Sequence, residues 1–112
     1  MSINYFGLPV RDAKRVGDFV EGRDTSLPID IPAIRAAMRK CSVKGGDQGT
    51  MRWDDPNGDY VFVDVLTAHV LVTHNAGRGS YQIQIVMDVL DGLRRAGLHV
   101  YDPQRGSWFF KK

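Results

Sequence analysis

The stretch TMRWDDPNGDYVFVDVLTAHVLVTHN, Thr50 to Asn75, decides the fold. It holds three runs rich in β-branched and aromatic residues, separated by Asp-Pro-Asn-Gly and by Thr67-Ala68. Asn57-Gly58 accepts positive φ at low cost, so DPNG reads as a hairpin turn. In the middle run Val61, Val63 and Val65 share one face, and Tyr60, Phe62 and Asp64 the other, because side chains alternate along a strand. With both faces largely apolar, this strand is expected to be central and covered on both sides, or nearly so. Tight connections between the three runs predict an antiparallel meander.

The flanks supply the layers around it. Upstream, INYFGL (Ile3 to Leu8) reads as a first strand that Pro9 ends. RDAKRVGDFVEGR is weakly helical, with Val16, Phe19 and Val20 on one face, Gly17 weakening it and Gly22 placed to stop it. A stronger helix follows: Asp30 is placed to cap it, Pro32 is tolerated in its first turn, and Ile31, Ile34, Met38 and Cys41 form its buried stripe. Arg35 and Arg39 share another face, which reads as an exposed basic surface suited to an acidic partner. KGGDQG then breaks the chain.

Downstream, NAGRGS is a loop and SYQIQIVMDVLDGLRRAGL is the longest helix candidate. Ser80 is placed to cap it, Asp91 and Arg95 form a favourable pair four residues apart, and Gly97 ends it. The alternation in YQIQI also permits a strand, so Ser80 to Ile85 is left open between the two. HVYDP and SWFF close the chain as a strand pair. This order predicts one α+β domain spanning residues 1–112: a mainly antiparallel sheet with helices packed on one face. Met38, Cys41, Val63, Val72, Leu90 and Leu93 are expected in its core.

The 112 residues suffice for one domain, and 43% hydrophobic with 25% charged residues is ordinary for a globular protein. No apolar run approaches the ~20 residues that cross a bilayer. The N-terminus does not have the pattern of a signal peptide, and a lone Cys41 favours a reducing compartment; a cytoplasmic, non-membrane location is expected. The net charge of +2 is unevenly spread: residues 1–46 carry +3, 47–64 carry −4 and 65–112 carry +3. An acidic middle thus lies between basic flanks, read either as ordinary solvated charge or as a surface patch for a basic partner.

Convergent chemistry is missing. His69 and His74 are five apart in one strand and point to opposite faces, so they cannot chelate one metal together; His99 stands alone. Cys41 falls on an apolar helical stripe and reads as a core thiol. The Asn75–Ser80 loop with Arg78 precedes a helix, but it lacks the ending of a phosphate loop and does not fit GxGxxG. DDPNGDY lacks the distal glutamate of a calcium loop. The near balance of 15 basic and 13 acidic residues argues against direct nucleic-acid binding. No enzyme activity and no cofactor are expected.

The end of the chain, GLHVYDPQRGSW (Gly97 to Trp108), is accounted for locally by a strand and a turn: Asp102 accepts from backbone N–H groups ahead of it, and Pro103 sets φ. An amphipathic helix ending in GL, then a strand and YDPQ, also resembles the C-terminal signature of small bacterial proteins associated with polymorphic toxins. The match spans about Leu90 to Trp108. Together with the chain length and lone cysteine, it resembles immunity proteins of contact-dependent growth inhibition systems. The resemblance implies a stoichiometric inhibitor of a toxin domain, often a nuclease, and a role more than a fold. Nuclease inhibitors are commonly acidic overall and this chain is not, so either the acidic segment supplies the complementarity or the interface depends on shape. Trp53, Asp54, Asp55 and Asp59 around the Pro-Asn-Gly turn are the candidate partner-binding residues. The alternative is a small ligand-binding domain or enzyme using the Asn75–Ser80 loop.

Overall fold

The structure, a computed structural model, describes residues 2–45, 49–76 and 80–110. Six strands form one sheet: β1 (Ser2–Leu8), β2 (Met51–Asp54), β3 (Tyr60–Val65), β4 (Val70–Asn75), β5 (His99–Asp102) and β6 (Ser107–Trp108). Their spatial order is β2-β3-β4-β1-β5-β6, and each neighbouring pair is antiparallel. The meander read from Thr50 to Asn75 is β2-β3-β4, with Val63 opposite both Met51 and Val72. β1 inserts between β4 and β5, so the first strand and β4 occupy the middle.

Three helices cover the sheet: α1 (Val16–Val20), α2 (Ile31–Arg39) and α3 (Ser80–Arg95), with a 3₁₀ turn at Ala13–Arg15 leading into α1. α2 begins where expected, because the Asp30 carboxylate accepts the Ala33 N–H at 3.1 Å. α3 is helical from Ser80, so the YQIQI alternation is not a strand. Its buried arc is Gln82, Ile85, Val86, Val89, Leu90 and Leu93. Together with Ile34 and Met38 of α2, it packs on Met51, Val61, Val63, Val70, Val72 and Val100. The two helices approach closely at Gly92, where an added Cβ would stand 3.0 Å from Met38 Cε and 3.2 Å from Cys41 Sγ. Five of the six expected core residues are fully enclosed; Cys41 is half-buried against the core, and burial pushes its thiol pKa up.

The two long helices share one face, as expected, and the short α1 lies at one end of the other. There Val16 and Phe19 pack with Leu8 and Ala68, beside Phe6, Tyr101 and Trp108. Two expectations change. β3 is next to the edge strand rather than central. The apolar character of its second face comes from Tyr60 stacking on Phe62 at 4.4 Å and from the Arg52 guanidinium 4.9 Å above Phe62; both rings are half-buried. Arg35 is also not part of an exposed basic face with Arg39: it is 4% exposed, and its Nη1 donates to the Gly49 carbonyl at 2.9 Å. The expected Ser80 cap and residues 77–79 of the Asn75–Ser80 loop lie outside the described residues. No helix among the described residues is long and apolar enough to cross a membrane.

Candidate functional site

The acidic turn between β2 and β3 is built from its own sequence. The Asp55 N–H donates to the Asp59 carbonyl at 2.8 Å, and the Gly58 N–H donates to the Asp55 carbonyl at 2.9 Å. Pro56 presets φ for the first inner position, and Gly58 takes the left-handed conformation at φ +92. Asn57 stays at negative φ. The connection is therefore a proline-led turn closed by a glycine, rather than a two-residue Asn-Gly loop. The Asp55 carboxylate accepts the Asn57 N–H at 3.1 Å, so this side chain shapes the turn as well as charging it.

The other three candidates divide by strand parity. Asp54 points to the face away from α3 and is gripped by Arg52 through two bonds, Nε to Oδ2 at 2.7 Å and Nη2 to Oδ1 at 2.9 Å. The Arg52 hydrogen bonds hold its carboxyl below the usual carboxylate range. Both partners are largely exposed, so the pair contributes little to stability but offsets one unit of charge at the tip. Trp53 lies on the opposite face, in register with Val61, half-buried against the main core. It supports the hairpin from beneath. Asp59 follows the turn, partly exposed, and its backbone closes it.

A polar network that the sequence did not announce ties this hairpin to α3. Gln82 is 2% exposed, and its Nε2 donates to the Tyr60 carbonyl at 3.0 Å and to Asn75 Oδ1. Asn75 Oδ1 also accepts the Tyr60 N–H at 3.1 Å, and its Nδ2 donates to the Gly58 carbonyl at 3.1 Å. Side-chain amides thus bridge the hairpin, the end of β4 and the first turn of α3. On either side of Gln82 stand Tyr81, 71% exposed, and Ile83, 61% exposed; Met87 follows Ile83 by one turn. Two apart on the helix, Tyr81 and Ile83 flank Gln82 on opposite sides, and exposed side chains of this size are the usual material of an interface. The signal was in the sequence once helical phase is granted: neither Tyr81 nor Ile83 falls on the buried arc of α3.

The histidines lie apart. His69, beside Phe6, and His74, stacked on Tyr5 at 5.7 Å, are buried on opposite faces, as expected from their spacing. Burial lowers the His69 pKa. His74 Nδ1 bonds the Asn75 carbonyl at 2.8 Å. Among the described residues no three His, Cys, Asp or Glu side chains gather to hold a metal. Asp102 makes the turn assigned to it, accepting the Gln104 N–H at 2.9 Å. No protein-family model matches this chain, nor does any curated protein or solved structure.

Proposed function

We propose that this chain is an immunity protein. It neutralises a cognate bacterial toxin domain, in the cytoplasm of the cell that makes both, by binding it one to one. The observation that carries this reading is the acidic β2–β3 tip, bridged through Gln82 to two of the most exposed large apolar side chains described, Tyr81 and Ile83. A nuclease has to hold phosphate and presents basic groups where it does so. Asp55 and Asp59, with Asp54 balanced by Arg52, offer such a surface a local negative field although the whole chain is slightly basic. Tyr81 and Ile83 add the apolar anchors that a charged rim lacks. Trp53 packs the strand that leads into the carboxylate-bearing turn. The resemblance around the YDPQ turn supports the same role.

The test is a titration. The purified chain is added to the C-terminal domain of the large secreted protein encoded next to it, with nuclease activity as readout. Activity should fall linearly and vanish at one equivalent, with a heterodimer on size exclusion. Permanent inactivation by a small fraction of an equivalent would point to an enzyme and contradict the binding reading.

A further inference from the structure

A cleft of about 200 Å³ opens at the other side of the sheet, lined by Arg11, Arg94, His99, Phe110 and the backbone entering β5. It exists because β5 outruns β6. Their strand pairing covers only Tyr101 and Asp102, continued by the Phe109 N–H donating to the Val100 carbonyl at 2.8 Å. Arg11 reaches the cleft from the connection between β1 and α1, and Arg94 from the last turn of α3. Both are held at Phe110. Arg11 Nη1 donates to its carbonyl, and the Arg94 guanidinium lies 5.3 Å from the centre of its ring. Arg11 also lies 5.6 Å over Trp108, against whose ring His99 packs edge-on at 6.4 Å.

The charge at this place is only partly balanced: Asp91 Oδ1 accepts from both Nε and Nη2 of Arg94. No carboxylate of the described residues lines the cleft. Asp91, 3.0 Å from Arg94 Nε, also stands 3.5 Å from Arg95, so one carboxylate serves two guanidiniums, and among the described residues Arg11 has no carboxylate at the cleft. Two like charges converging on one residue repel each other, and an anion between them would relieve that repulsion. The aromatic rings fix the guanidinium planes beforehand, which reduces the ordering needed on binding. A guanidinium presents parallel N–H donors that match the oxygens of phosphate. The volume is below the usual range for drug-sized ligands, so the occupant is small.

We propose that this cleft binds a small phosphate-monoester ligand, its oxyanion between Arg11 and Arg94 and its organic body against Phe110. The site is independent of the acidic hairpin and of the immunity reading. The probe is phenyl phosphate, with inorganic phosphate and benzoate alongside, titrated into the isotope-labelled full chain and followed by amide and arginine Nε resonances. Saturable shifts confined to Leu98, His99, Val100, Arg11 and Arg94 are expected, with a dissociation constant below about 1 mM. Benzoate should bind at least about tenfold more weakly, since it carries one charge rather than two. Arg94→Gln and Arg11→Gln should each weaken phenyl phosphate about tenfold or more, while Arg23→Ala, on the loop after α1, should not. Arg94 is on the helix surface, so Arg94→Gln decides the matter should Arg11→Gln fail to fold. Shifts that do not saturate by about 10 mM, shifts spread evenly over the exposed arginines, or unchanged binding by Arg94→Gln would each overturn the site.

Discussion

At the β2–β3 tip the charged groups are carboxylates on a tight turn, one of them paired with Arg52, and the nearby tryptophan, Trp53, packs half-buried against the core. At the β6 edge they are guanidiniums, and the aromatic rings Trp108 and Phe110 stand directly beneath them. The contrast follows from side-chain length. Aspartates are short, so a hairpin that carries them presents charge only where its backbone goes, and the backbone must be rigid. The buried amide of Gln82 and the half-buried amide of Asn75 supply that rigidity. Arginines are long and need lateral support, which the rings provide. The first arrangement suits a broad field that steers a large basic partner; the second suits a fixed grip on one small anion.

The largest expected effect removes the base on which both edges stand. Leu90 is fully enclosed between α3 and the sheet, and Leu90→Ala should cost about 2–5 kcal/mol. Thermal denaturation without any partner would show it, with Val63→Ala smaller in the same direction. Unchanged melting of both variants would mean that the two edges do not share this core.

Gln82→Ala should separate the edges. It leaves the Tyr60 carbonyl and Asn75 short of a buried donor, at a cost of about 1–3 kcal/mol. Hydrogen exchange should rise in β3, at the end of β4 and in the first turn of α3, and stay as before at Val100. A uniform rise along the chain would show that the amide network does not act on the acidic end alone.

A smaller effect lies between the edges, under α1. His69 is buried there, and its pKa is lowered from 6.5, first by burial, with a bond to the Phe19 backbone acting the other way. The unfolded chain therefore binds a proton at this site at a higher pH than the folded chain does. Stability should be intact above about pH 6.5 and should fall as the pH drops below it, toward the folded-state value. The slope of melting temperature between pH 7 and 5 should flatten in His69→Gln. An identical slope in the variant would remove His69 from the account.

Much of this architecture was legible from local pattern. The meander, the Asp30 cap, the glycine stop at Gly97 and the Asp102 turn each depend on residues within a few positions of one another, and each formed as read. What escaped was non-local. Nothing within Ser2–Leu8 says that it pairs with both β4 and β5, and that insertion is what moves β3 toward the edge. The apolar second face of β3 suggested a covering layer, whereas Tyr60, Phe62 and Arg52 half-cover one another. Arg35 looked solvated because its charge is visible in the sequence and its Gly49 partner is not. At the candidate site the carboxylates were legible as a turn. The apolar half, Tyr81 and Ile83, depended on settling whether YQIQI is strand or helix, and only tertiary packing does that.

The most direct measurement compares the edges in one assay: the association rate with the proposed toxin partner, at low and at physiological salt. Asp54→Lys with Asp59→Lys reverses the charge at the acidic tip and spares the Asp55 side chain that shapes the turn. This double variant should remain folded and associate at least about tenfold more slowly at low salt, with the difference shrinking as salt rises. Arg11→Gln with Arg94→Gln should associate as the parent chain does. Equal rates for the parent and the folded acidic-tip variant, or a larger loss from the arginine pair, would contradict the acidic hairpin as the partner surface.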